Sequence, residues 1–196
     1  MLQHKLRAPV SVIISPLCKG LVRAGVRANH LTVMGALGSC FSALYFFPRG
    51  NFIVGTLVVT IFVLLDLLDG TVARMTDATP SRWGALLDST VDRISDAIVV
   101  LGIAIYLENN RNISLVVPFL VVLLSGLVSY VRARSESLGI QCAVGVGERT
   151  ERLIIILVGT FLFGIGIDGA LEVSLWLVLI ISTLTVFQRL AVVFRS

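Results

Sequence analysis

Cysteine and histidine are scarce in this sequence, three and two among 196 residues. Cys18, Cys40 and Cys142 are odd in number, far apart and without C-x-x-C spacing, which predicts neither a disulfide framework nor a zinc site. They read as small buried or lipid-facing side chains. His4 and His30 are too few and too scattered to build a histidine-based site. Charge is also sparse: 14% of residues are charged against 56% hydrophobic, and the mean hydropathy is +0.95. That balance excludes an ordinary soluble domain. Internal repeats and low-complexity tracts are missing. The N-terminal stretch MLQHKLRAPVSVIISPLCKGLVRAG lacks the unbroken apolar core and small-residue cleavage site of a secretory signal. Two short matches carry little: the "GIG" at 164 to 166 eases helix packing, and the acceptor-like "NIS" at 112 to 114 is a pattern common by chance.

Apolar runs are what the sequence has in abundance. A bilayer-spanning helix needs about 20 mostly apolar residues, and six stretches qualify: 31–48, 51–74, 83–107, 113–134, 150–167 and 171–192. The fold expected is all-α, a polytopic membrane protein of one domain over 1–196. Residues 29–196 form a six-helix bundle, and 1–28 form a juxtamembrane amphipathic helix that turns Val12, Ile13, Leu17 and Leu21 toward lipid. Fourteen of the sixteen Lys and Arg residues then fall on one face, leaving only Arg49 and Arg111 on the other. The positive-inside rule makes the basic face cytoplasmic. Both termini are expected there, in a plasma membrane, with anionic lipid headgroups as neighbours and no nucleic-acid partner.

Against this apolar background, residues 66 to 92, DLLDGTVARMTDATPSRWGALLDSTVD, stand out. Asp66 and Asp69 are three apart and Asp88 and Asp92 four apart, so each pair lies on one face of its helix. With the turn at MTDATPSRW, Asp66 and Asp92, the members farthest from it, lie about 12 to 13 Å down their helices at roughly 1.5 Å per residue, so the two pairs come level. Four carboxylates at one depth in a membrane cannot all stay ionised without compensation. Divalent cations supply it, and oxygen-only ligands point to Mg²⁺ or Mn²⁺ more than to zinc. A pair of hard cations suggests displacement at phosphorus. Gly70 and Gly84 let a ligand come close, and Arg74 adds a cation one turn beyond Asp69. The plainer alternative is that these acids pair with Arg74, Arg82 and Arg93 and only hold the bundle together. Asp96, one turn past Asp92, is expected in a supporting role, and Asp77 in the turn is expected to be solvated. At the cytoplasmic ends of the last three spans, Arg132, Arg149, Arg152 and Arg189 can gather into a basic pocket, which favours a phosphorylated ligand over a neutral one.

The pattern D-x-x-D-G-x-x-A-R … G-x-x-x-D-x-x-x-D, here Asp66, Asp69, Gly70, Ala73, Arg74, Gly84, Asp88 and Asp92, resembles the signature of the CDP-alcohol phosphotransferases. ANHLTVMG is similar to the family's entry to its first span. LLDSTVDRISD, SYVRARSES, GERTERLIII and QRL are most similar to the actinobacterial phosphatidylinositol phosphate synthases. Two departures stand beside the match: nine residues separate Arg74 from Gly84, where the family has eight or fewer, and RANHLT lacks a proline before the Asn. The resemblance implies transfer of the phosphatidyl group of CDP-diacylglycerol to an alcohol, with release of CMP. It implies that Asp66, Asp69 and Asp88 hold two metal ions, with Asp92 near the second and acting as general base. It also implies that Gly70, Arg74 and Ser81, joined by Asn29, His30, Leu31 and Thr32, contact CDP-diacylglycerol, and that the protein is a homodimer. For the acceptor it narrows the basic pocket to inositol 1-phosphate. Glycerol 3-phosphate is the alternative within the family, making a phosphatidylglycerophosphate synthase; a small cation transporter is the alternative outside it.

Overall fold

A computed structural model of the chain describes residues 28–75, 81–111 and 114–196; the side chains of Ala28, of 66–75 and of Arg111 fall outside that description. Among the described residues there are six α-helices and no strand. They are α1 (Ala28–Phe46), α2 (Phe52–Met75), α3 (Arg82–Arg111), α4 (Val116–Ser137), α5 (Arg149–Gly164) and α6 (Ala170–Arg195), with a 3-10 turn at Phe47–Arg49 after α1. The all-α expectation holds among the described residues, and each anticipated span overlaps one helix. The juxtamembrane helix expected over 1–28 lies outside the described residues, apart from Ala28, which opens α1.

The boundaries differ where local chemistry intervenes. The first run overshoots because Pro48, within the 3-10 turn, has no N–H to continue the α-helical ladder. The fourth helix begins at Val116 rather than at 113, and the fifth ends at Gly164 rather than at 167. Among the described residues, three helical stretches are long and apolar enough to cross a bilayer: Asn29–Arg49, Val116–Ser137 and Ala170–Arg195. α3 and α5 are diluted by the charges that interest us, Asp88, Asp92, Arg93 and Asp96 in one, Arg149, Glu151 and Arg152 in the other.

The distribution of side chains is that of a membrane protein. Leu37, Phe41, Phe119 and Phe187 point outward, while Ser39, Ser42, Thr56, Thr160, Ser174, Ser182 and Thr185 are buried between helices. In lipid the outer surface gains nothing from being polar, and small hydroxyl side chains let helices approach and bond across the seam. The Thr56 Oγ1 to Thr160 Oγ1 hydrogen bond, 2.7 Å, is such a contact between α2 and α5. At one end of the bundle Phe52 packs its ring against Phe47, Tyr106 and Phe163, with centroids 5.3, 4.8 and 4.9 Å away. Phe47 and Phe52 are fully buried there, which ties the first three helices to α5.

Two groups of three result. α1 packs on α2 and α3, and α6 packs on α4 and α5. The groups meet where α2 touches α5 and where α3 touches α4.

Candidate active site

Between the groups lies a cavity of about 770 Å³, walled by α3, α4, α5 and α6. From α3 come Asp88, Ser89, Asp92, Arg93 and Asp96; from the other group come Arg132, Arg149, Arg152 and Arg189. All four arginines proposed from sequence therefore share one chamber with two of the four proposed metal-ligating carboxylates. The arginines come from three helices, Arg132 from α4, Arg149 and Arg152 from α5, and Arg189 from α6.

Each arginine has its own environment. Arg149, the first residue of α5, reaches across to α3, with Nη1 2.9 Å from Asp92 Oδ2 and Nε 3.3 Å from both oxygens of Asp96. Asp92 and Asp96 are one turn apart, so a single planar guanidinium can span them. Asp96 thus supports the site as expected from sequence, but through a partner that the sequence did not suggest. Arg93 donates to the Ser89 carbonyl of its own helix. A cation that reaches Asp92 and Asp96 is thus Arg149, more than fifty residues away along the chain; the side chain of Arg74, one of the cations in the plainer alternative, lies outside the described residues.

Arg152 and Arg189 are buried, 5% and 2% exposed. Arg152 Nη1 donates to the Gly147 carbonyl. Arg189 Nε donates to the Val144 carbonyl at 2.9 Å, and its Nη1 to the Val128 carbonyl. Both side chains hold the connection between α4 and α5 while still lining the cavity. Arg132 is different. It lies half-exposed at the rim and pairs only one turn along its own helix, Nε to Glu136 Oε1 at 2.9 Å.

On α3, Gly84, Asp88, Asp92 and Asp96 follow at four-residue intervals, each about 6 Å further along the axis. At the start of this row Ser81 Oγ accepts a hydrogen bond from the Gly84 N–H at 2.8 Å, closing the first turn as an N-cap. A Cβ on Gly84 would sit 3.0 Å from Ser81 Oγ and 3.1 Å from Asn29 Oδ1, so the glycine is what lets the start of α1 meet the start of α3. Two of the proposed nucleotide contacts, Asn29 and Ser81, are brought together in this way. His30 is exposed beside them, whereas Leu31 and Thr32 turn their side chains into the bundle.

Asp66, Asp69, Gly70 and Arg74 lie within α2, but their side chains are outside the described residues. Among the described residues no three acidic, cysteine or histidine side chains converge as a metal site; Asp88 and Asp92 are two of the anticipated four. Ser125, Ser129 and Glu148 also line the cavity and were not singled out from sequence. The available signal was spacing: Ser125 and Ser129 stand one turn apart, and Ser129 three residues before Arg132.

A model of CDP-alcohol phosphatidyltransferases matches residues 26–188. The chain belongs to this family. Relatives of the CDP-alcohol phosphatidyltransferase include the phosphatidylinositol phosphate synthase of Streptomyces avermitilis, 40% identical over all of this chain and 84% of its own length. That of Mycobacterium tuberculosis is 39% identical over 97% of this chain and 89% of its own. The crystal structure of the M. tuberculosis enzyme with CDP-DAG bound superposes with a TM-score of 0.87 at 36% identity, covering 93% of this chain and 94% of that one. Its complex with manganese and citrate gives 0.84 at 35% identity, covering 91% and 88%. Family membership makes this CDP-alcohol phosphatidyltransferase a transferase of phospholipid biosynthesis and removes the transporter alternative.

Proposed function

We propose that the protein transfers the phosphatidyl group of CDP-diacylglycerol to inositol 1-phosphate, releasing CMP, at the cytoplasmic face of the plasma membrane. The observation that carries this reading is the single cavity in which Asp88 and Asp92 face Arg132, Arg149, Arg152 and Arg189. Carboxylates without histidine or cysteine fit a hard cation. Asp66, Asp69, Asp88 and Asp92 would hold two ions, Mg²⁺ or Mn²⁺, which when bound would neutralise phosphate charge and make the phosphorus electrophilic. Asn29, His30, Leu31, Thr32, Gly70, Arg74 and Ser81 bind the nucleotide end of CDP-diacylglycerol, and the lipid tails stay in the bilayer. The arginines take the phosphomonoester of the acceptor, whose nearly two negative charges a cluster of planar donors suits better than a neutral alcohol. Asp92 accepts the proton of the attacking hydroxyl. A P–O bond forms to the acceptor oxygen, and the bond from the β-phosphorus to CMP breaks.

The remaining elements of the reading are six membrane-spanning helices, a juxtamembrane helix over 1–28, both termini cytoplasmic, and a homodimer. Relatives bearing the phosphatidylinositol phosphate synthase name support the acceptor choice. The test is to incubate purified protein with CDP-diacylglycerol and Mg²⁺, and to measure CMP with inositol 1-phosphate, glycerol 3-phosphate or free inositol. CMP release that depends on inositol 1-phosphate is the expected result. Preference for glycerol 3-phosphate would make the protein a phosphatidylglycerophosphate synthase, and equal use of free inositol would remove the role given to the arginines.

A further inference from the structure

We infer that Thr185, a residue of α6 that does not line the cavity, is a positioning residue that sets acceptor affinity by latching the α4–α5 connection in place. This rests on the acceptor reading above. The connection, residues 138–148, has no helix or strand of its own, yet it delivers Glu148 and Arg149 to the cavity wall. Something must fix its path. Thr185 is fully buried, and its hydroxyl is used twice: Oγ1 donates to the Ile181 carbonyl at 2.7 Å and accepts the Gly147 N–H at 2.9 Å. The carbonyl of the same Gly147 receives Arg152. Three residues upstream of Gly147, the Val144 carbonyl receives Arg189.

The fit leaves no slack. A Cβ on Gly147 would come within 3.0 Å of both the Ile181 carbonyl oxygen and Thr185 Oγ1, and one on Gly145, at φ +128°, would collide with the Thr185 methyl group. Thr185 therefore holds the strand of backbone that orients Arg152 from one side and leads directly into Arg149 on the other. It touches none of the reacting groups. Its effect is on where two phosphate-binding arginines stand.

Thr185→Val keeps the shape of the side chain but offers a methyl group to a buried N–H, and a buried donor without a partner shifts the loop rather than stay unpaired. Measured by CMP release, it should raise the KM for inositol 1-phosphate about tenfold, with kcat and the KM for CDP-diacylglycerol within about twofold. Thr185→Ser, which keeps the hydroxyl, should restore the acceptor KM to within a few-fold of wild type. A normal acceptor KM in Thr185→Val, or an equal loss in both KM values, would overturn the positioning role. If Thr185→Val does not elute as a folded protein, Thr185→Ala decides by the same KM split; failure of both to fold makes Thr185 a scaffold residue and also overturns it. If the wild type releases no CMP with inositol 1-phosphate, it is the acceptor reading that has failed, and the latch falls with it.

Discussion

Of the four arginines in the cavity, Arg132 is the one whose removal reports on the acceptor with least interference from the fold. Its side chain is 45% exposed, its Glu136 partner 51%, and the two sit four residues apart on α4. Such an exposed i, i+4 pair contributes about 0.3 to 0.5 kcal/mol, so Arg132→Ala should leave the melting temperature in detergent nearly unchanged. A charge-assisted hydrogen bond from an arginine to a phosphomonoester contributes about 1.5 to 3 kcal/mol. Losing it should raise the KM for inositol 1-phosphate roughly ten- to a hundredfold, where KM follows binding. The two effects differ by several-fold in energy and are read in different assays. CMP release is measured against inositol 1-phosphate at saturating CDP-diacylglycerol, then against CDP-diacylglycerol at saturating acceptor, with thermal unfolding in parallel. Only the first titration should move. Arg132→Lys should recover part of the loss, because an ammonium keeps the charge without the planar fork. A normal acceptor KM in Arg132→Ala with an unchanged melt would show that the phosphate does not reach this rim of the cavity.

Arg189→Ala tests the opposite case: it strips donors from the Val144 and Val128 carbonyls inside the bundle. It should lower stability by about 2 to 5 kcal/mol as well as weaken acceptor binding, and a variant as heat-resistant as wild type would contradict those buried bonds. Asp66→Asn and Asp88→Asn should each abolish turnover while leaving a folded, extractable protein, since only ligand charge is lost; activity surviving exhaustive chelation would end the metal reading. Asp92→Asn should reduce kcat about a hundredfold to ten-thousandfold with a smaller effect on CDP-diacylglycerol binding, and collapse of nucleotide-lipid affinity at unchanged kcat would make Asp92 a binding residue instead.

Composition and local spacing determined a large part of this protein. An apolar run long enough for a bilayer has few options other than a helix, because backbone polar groups in lipid must bond within their own segment. The six helices were therefore legible, with errors of a few residues at Pro48, Val116 and Gly164, where turn chemistry acts. The spacing of Asp88, Asp92 and Asp96 along one helix was legible for the same reason, since 3.6 residues per turn fixes neighbours within a helix. Contacts between helices were beyond the reach of spacing. Which cation answers Asp92 and Asp96 depends on how α5 is set against α3, and only the packed bundle supplies Arg149. Burial likewise separates Arg132, half-exposed at the rim and paired with Glu136, from Arg189, fixed by two carbonyls, although both are arginines near helix ends in the sequence. Thr185 shows the limit most plainly. Nothing in the apolar sequence around it sets one threonine apart, and its hydroxyl acquires a role only when tertiary packing brings the N–H of Gly147, thirty-eight positions away, within 2.9 Å in a place that water does not reach.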